Sequence, residues 1–227
     1  MLSAASCFSD ADRKRINECV GAAELKTSAE IVPVVATSSG RYDRAEDLVG
    51  LLLGIVLMIL TAILWPTPPI SMESGSWDKD PSLLQAGKLI VAMVVGFMLG
   101  VAAGSRISAV RRLFTPSRQM REEVQQSAQA IFFDKRIHHT ASGSGLMIYL
   151  SLFEHVAVIL ADQQVLKALG QGTLDELCGS LTIQLKQGSP ADAICKTIEA
   201  ASGKLYAVLP RQSSDVNELP DSLITID

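Results

Sequence analysis

Three carboxylates stand at the ends of predicted strands, and no other residues of this chain are better placed for chemistry. Asp162 follows the apolar run His155 to Ala161 and precedes a helical pattern. A carboxylate there can face the crevice at a strand's carboxyl end, where its oxygens suit a hard cation such as calcium or magnesium. The same position is that of a helix N-cap, which needs no ligand, and this plainer reading is preferred. Glu30 and Glu154 would add oxygens only if the fold brought them to Asp162.

The remaining reactive side chains are sparse. His138 and His139 are adjacent, so they project about 100° apart in a helix and to opposite faces in a strand, which makes them a poor chelating pair. With Thr140, Ser142 and Ser144 they form a polar loop that either holds an anion on backbone N–H groups or simply connects two elements. No GxSxG, HExxH, P-loop or GxGxxG pattern occurs, and no catalytic residue is assigned. Cys7, Cys19, Cys178 and Cys195 are scattered without a CxxC, which reads as reduced small hydrophobes on helices.

The elements that must position these groups begin with a helix from Asp10 to Lys26, opened by Ser9 with Asp12 three residues on. Glu30 to Thr37 (EIVPVVAT) is β-branched and predicts a strand with an edge or a bulge at Pro33, which has no ladder donor. Leu146 to Leu152 and His155 to Ala161 predict a β-hairpin closed at Phe153 and Glu154. Met120, Val124, Ala128, Ile131 and Phe132 mark one face of a helix that starts near Ser117. After Asp162 come a short helix through Leu169, a second from Thr173 to Gly188, and a last one opened by Ser189 and Pro190 and stopped by Pro210.

Between the first strand and these later elements lies an apolar interruption. Residues 48–65 carry no charge, and residues 83–104 carry only Lys88, near the start. Each run is long enough to cross a hydrocarbon core of about 30 Å, and Lys88 can snorkel to the headgroups. Arg41, Arg44, Arg106, Arg111, Arg112, Arg118 and Arg121 flank the pair, whereas the 66–82 loop has one lysine against three acids. The bias predicts a two-pass protein of the cytoplasmic membrane with both termini in the cytoplasm. Gly96, Gly100 and Gly104 repeat at the spacing of a helix-packing ridge, and Gly50 with Gly54 match it on the first run. Packing within the chain is the first reading of that ridge, and a homodimer the second.

One helix and one strand before the interruption cannot bury a core alone. The expectation is therefore one discontinuous α/β domain built from residues 1–40 and 117–210, interrupted by a transmembrane hairpin at 48–104 and followed by a polar tail at 211–227. The net charge of −4 excludes a general nucleic-acid binder, and the 48% hydrophobic content fits a small domain plus two spans. Residues 1–23 lack the apolar centre of a secretory signal, so the hairpin is expected to serve as its own insertion signal.

The stretches FSDADRKRINECVGAAELKTSAEIVPVV and AQAIFFDKRIHHTASGSGLMIYLSLFEHVAVILADQQV, with NELPD near the end, resemble the TPM domain family of thylakoid-lumen phosphatase-like and photosystem II repair proteins. The resemblance implies a TPM-like sandwich with a small central β-sheet flanked by helices, in a membrane-anchored branch. It also implies either an accessory role in a membrane complex or a weak cation-dependent phosphatase using calcium or magnesium. The chain departs from the lumenal branch, since IFFDKRIHHTASGSG replaces the Trp-Gly and Asn-Asn-Gly segments before the second strand. That departure counts against carrying over phosphatase activity. The function expected is a binding or accessory module, with membrane lipid and another membrane protein as partners, and the phosphatase is its alternative.

Overall fold

The structure, a computed structural model, describes residues 3–66, 81–140, 143–212 and 217–227. The chain divides into two compact units, one formed by 41–116 and the other by 2–40 together with 117–227.

The α/β unit is built on a four-stranded mixed sheet. Strand β1 (Glu30–Ala36) lies parallel to β2 (Gly145–Ser151), β2 is antiparallel to β3 (Val156–Ala161), and β4 (Ile224–Ile226) adds parallel to β1, giving the order β3-β2-β1-β4. Alternate residues of β1 and β2 point to opposite faces, and both faces are covered, so the strands read as apolar runs rather than as an alternation. On one face Ile31, Val35, Leu146, Ile148 and Leu150 pack with Ile16, Val20, Leu177, Leu181, Ile194 and Ile198. Those partners come from α2 (Asp10–Glu24), α8 (Gln171–Gln187) and α9 (Pro190–Val208). On the other, Val32, Val34, Met147 and Tyr149 pack with Val124, Ala128 and Phe132 of α6 (Ser117–Asp134) and with Ile137.

Local signals set the helix ends. Ser9 and Asp12 close a reciprocal capping box on α2, and Ser189 accepts from the Ala191 amide ahead of α9 with Pro190 in its first turn. A short α1 (Ala4–Cys7), α7 (Gln163–Leu169) and a 3₁₀ turn over Ile137–His139 complete the helices described in this unit.

Two expectations are corrected. The strand containing Pro33 is central, not an edge. Register explains how: Glu30 N–H and Ala36 C=O point to β2, so the odd-numbered residues point the other way. On that side β4 pairs only from Val34 onward, and Pro33 meets no ladder acceptor there. The 211–227 segment is not merely a polar tail, because it carries β4 and pins it at both ends. Leu223 N–H donates to Asn17 Oδ1 at 3.1 Å, and Thr37 Oγ1 donates to Asp227 Oδ1 at 2.6 Å. A three-residue strand is too short to announce itself by periodicity.

The other unit contains α3 (Asp43–Leu64), α4 (Pro81–Arg106) and α5 (Ser108–Leu113). Within it Glu46–Leu64 and Leu83–Arg106 are long and apolar enough to cross a membrane, with only 11% of each window buried. Ile63, Leu64, Ile90 and Met98 are each more than 60% exposed. A core helix of a soluble protein would hide such residues. The two helices meet through their glycines: a Cβ on Gly96 would lie 2.8 Å from Gly54 Cα, and one on Gly100 2.7 Å from Gly50 Cα. Gly104 approaches Glu46 Cα in the same way at 3.3 Å. The ridge is thus filled from within the chain. The 67–80 part of the connecting loop lies outside the described residues.

Candidate functional site

Asp162 caps α7, its carboxylate accepting from the Gln163 amide at 2.6 Å, while its own N–H donates to Gly145 C=O. Glu30 shares that end of the sheet but lies on β1, with β2 between, so the two backbones are about 9–10 Å apart. The Glu30 carboxylate accepts from the amides of Glu218 and Leu219 at 3.2 and 3.4 Å. Glu154 lies beyond the opposite end of β2, 2% exposed. It accepts from Ser39 N–H at 2.9 Å, from Ser38 Oγ at 3.3 Å and from the Ser151 hydroxyl. Ser39 Oγ continues that network to Ser151 Oγ and Tyr149 Oη, and Tyr149 Oη meets Ser127 Oγ. The three carboxylates named from the sequence are therefore held at different places, each by hydrogen bonds that tie the fold together. Among the described residues no group of three or more His, Cys, Asp or Glu side chains is placed to hold a metal ion.

The polar loop is also engaged internally. Thr140 Oγ1 accepts from the Ser144 amide at 2.9 Å, and Ser144 Oγ donates to Ser28 C=O at 2.7 Å. The ring of His138 stacks edge-on to Phe133 with centroids 4.8 Å apart, while His139 sits 6.2 Å from His138. Ser142 lies outside the described residues.

A titratable cluster forms where the sequence offers no motif. A cavity of about 160 Å³ is lined by Glu24, Thr27, Glu30, Arg211, Asn217 and Asp221. Glu24 comes from the last turn of α2 and accepts from Ile31 N–H at 3.1 Å, on the β4 side of β1 but before β4 begins. Asn217 Nδ2 bridges Glu24 Oε2, at 3.4 Å, and Asp221 Oδ1. Burial, followed by the charges of Glu30 and Asp221, pushes the Glu24 carboxyl up to about 8, against the downward pull of the Ile31 amide. At neutral pH the cluster thus holds a proton that the two neighbouring carboxylates share in stabilising. Glu24 could not be found by spacing, since it ends an amphipathic helix like any solvated charge. The one available signal was NELPD, which supplies Asn217 and Asp221.

Stability should report this proton. Folding raises the Glu24 pKa from its ordinary 4.5, so its contribution is fully present below that value and is lost as pH rises through about 8. Because the group is partly exposed, solvent screening reduces the effect to about 1–2 kcal/mol. Thermal melts of the protein in mild detergent should therefore fall between pH 6 and pH 9 more steeply for the native chain than for Glu24→Gln. Parallel curves would remove the shifted carboxyl.

Comparison with family models finds no match, and none is found among curated proteins. The chain is similar in fold to the BA42 protein of the psychrophilic bacterium Bizionia argentinensis, solved by NMR. The TM-score is 0.55 at 15% identity, over 96% of this chain and 94% of that one. At that identity the likeness concerns the fold alone. What fold and geometry define together is a mixed α/β protein with a small four-stranded sheet and two helices of membrane-crossing length.

Proposed function

We propose that this chain is a two-pass membrane protein whose α/β unit, of the TPM type, is a binding or accessory module for another membrane component. The observation that carries the reading is the pair of exposed apolar helices. Their spanning segments are about 28 and 36 Å long at 1.5 Å per residue, close to or above the thickness of a hydrocarbon core. The α/β unit is continuous in space although the hairpin interrupts it in sequence, which suits a module held at a membrane surface. The arginine asymmetry supports a topology with both termini and the α/β unit in the cytoplasm. Its hydrogen-bonded carboxylates organise backbone segments, a role that suits a rigid binding surface.

The test is made on the full chain in cells, with the native cysteines replaced by serine. After an alkaline carbonate wash the protein should stay with the membranes. A membrane-impermeant maleimide should label Ser74→Cys in intact cells and leave Ser180→Cys unlabelled. Release by carbonate would sink the membrane reading, and the reverse labelling would sink the topology. In mild detergent the protein should migrate with a second membrane protein at fixed stoichiometry; migration as a lone chain would remove the accessory role.

A further inference from the structure

Helices α2 and α9 run side by side in parallel, matched by three contacts. Arg15 pairs with Asp192 across them, Cys195 Sγ lies 3.9 Å from Arg15 C=O, and Ser202 Oγ lies 3.5 Å from Ala23 C=O. Inside α2 the Arg15 carbonyl is also the acceptor for the Cys19 N–H, four residues on. The thiol of Cys195 is therefore seated against the turn from which Cys19 projects. Cys195 is 3% exposed within the core, while Cys19 is half-buried at its margin.

Cys19 opens onto a groove of about 380 Å³ whose lining includes Arg15, Lys26, Glu199 and Ser202. The groove carries both signs, Arg15 and Lys26 against Glu18 and Glu199, which suits a small-molecule disulfide that bears both carboxylate and ammonium groups. Cys7 and Cys178 have no such arrangement; the Cys178 thiol donates instead to the Ala157 carbonyl at 3.1 Å.

We propose that Cys19 and Cys195 are a thiol–disulfide exchange pair, with Cys19 the entry thiol for a glutathione-type disulfide and Cys195 the resolving thiol that closes a bond between α2 and α9. Cys19 thiolate attacks one sulfur of the small disulfide and expels one thiolate, leaving a mixed disulfide on Cys19. Cys195 then gives its proton to the medium and attacks the Cys19 sulfur, releasing the second small thiol. The protein loses two protons and two electrons; the electrons pass to the small disulfide, and the two thiolates it releases take up protons from the medium. Burial, with the neighbouring Cys19 thiol, pushes Cys195 up to about 12, which holds back its attack on the mixed disulfide. The bond would join the segment before the membrane helices to the one after them, closing a long loop.

The full chain in mild detergent is incubated with oxidised glutathione, quenched by alkylation and mapped by peptide mass. The expected product is a Cys19–Cys195 cross-linked peptide, absent after dithiothreitol, with melting raised by about 5 °C. Cys195→Ala, checked for native circular dichroism, should instead accumulate a stable glutathione adduct at Cys19. The wild-type cross-link is read independently of whether that variant folds. A lasting adduct at Cys19 of the wild type, modification confined to Cys7 or Cys178, or no reaction would each overturn the pair.

Discussion

Residues 117–227 expressed without the first forty residues are expected not to fold, whereas 2–40 joined to 117–227 through a flexible linker of about ten Gly and Ser residues should fold as a soluble protein. The reason is the place of β1 in the sheet. It lies between β2 and β4, so its removal takes the parallel partner from β2 and isolates β4. With it go Ile16, Val20, Ile31, Val32, Val34 and Val35, all at most 2% exposed. Each such side chain contributes about 1.5–3 kcal/mol on burial, roughly 9–18 kcal/mol together. That matches or exceeds the whole stability of a typical domain, about 5–15 kcal/mol. A linker of that length reaches about 16–19 Å on average. The check is a cooperative thermal melt by circular dichroism. A cooperative melt of 117–227 alone, at the temperature of the joined chain, would show that β1 is dispensable.

Capping made the ends of α2 and α9 legible, because Ser9 with Asp12 and Ser189 with Pro190 act over three or four residues. The hairpin of β2 and β3 is nearly as local, closing through the four residues 152–155 around the expected Phe153 and Glu154. The two apolar helices announce themselves by composition, and their mutual glycine contact by the spacing of Gly50, Gly54, Gly96 and Gly100.

What depends on distant pairing stayed hidden. Nothing near Ile224 says that it lies beside Val34, and nothing near Pro33 says that β4 begins one residue too late to need its donor. The site follows the same rule. Glu30 and Glu154 were named as oxygens that could join Asp162, but their partners, the amides of Glu218 and Leu219 and the serines at 38, 39 and 151, are set by how the chain folds back on itself. Those partners make both acids parts of the framework. The shifted carboxyl is Glu24, whose environment exists only after residues 217–221 return to the end of α2.

Gly145→Ala should destabilise the α/β unit by about 3 kcal/mol or more, among the largest effects of adding a single methyl group. A Cβ at this position would lie 2.0 Å from the backbone oxygen of Ile137 and 2.9 Å from its Cγ2. Neither neighbour can yield cheaply. Ile137 is fully buried against α6 and β2, and the residue before it, Arg136, already takes a left-handed backbone conformation at φ 53°. Gly145 itself is paired with Glu30 on β1, and its carbonyl accepts from Asp162 N–H, so β2 cannot shift without disturbing two of the three acids named from the sequence. Gly179→Ala is the control, since its Cβ would meet nothing within 4 Å on α8. That change should stabilise by roughly 0.5–1 kcal/mol through helix propensity. Urea unfolding of the joined soluble chain measures both substitutions against the same baseline. A Gly145→Ala midpoint equal to wild type would mean that 137–145 does not run so tightly under β2, and would loosen the placement of Glu30 and Asp162 with it.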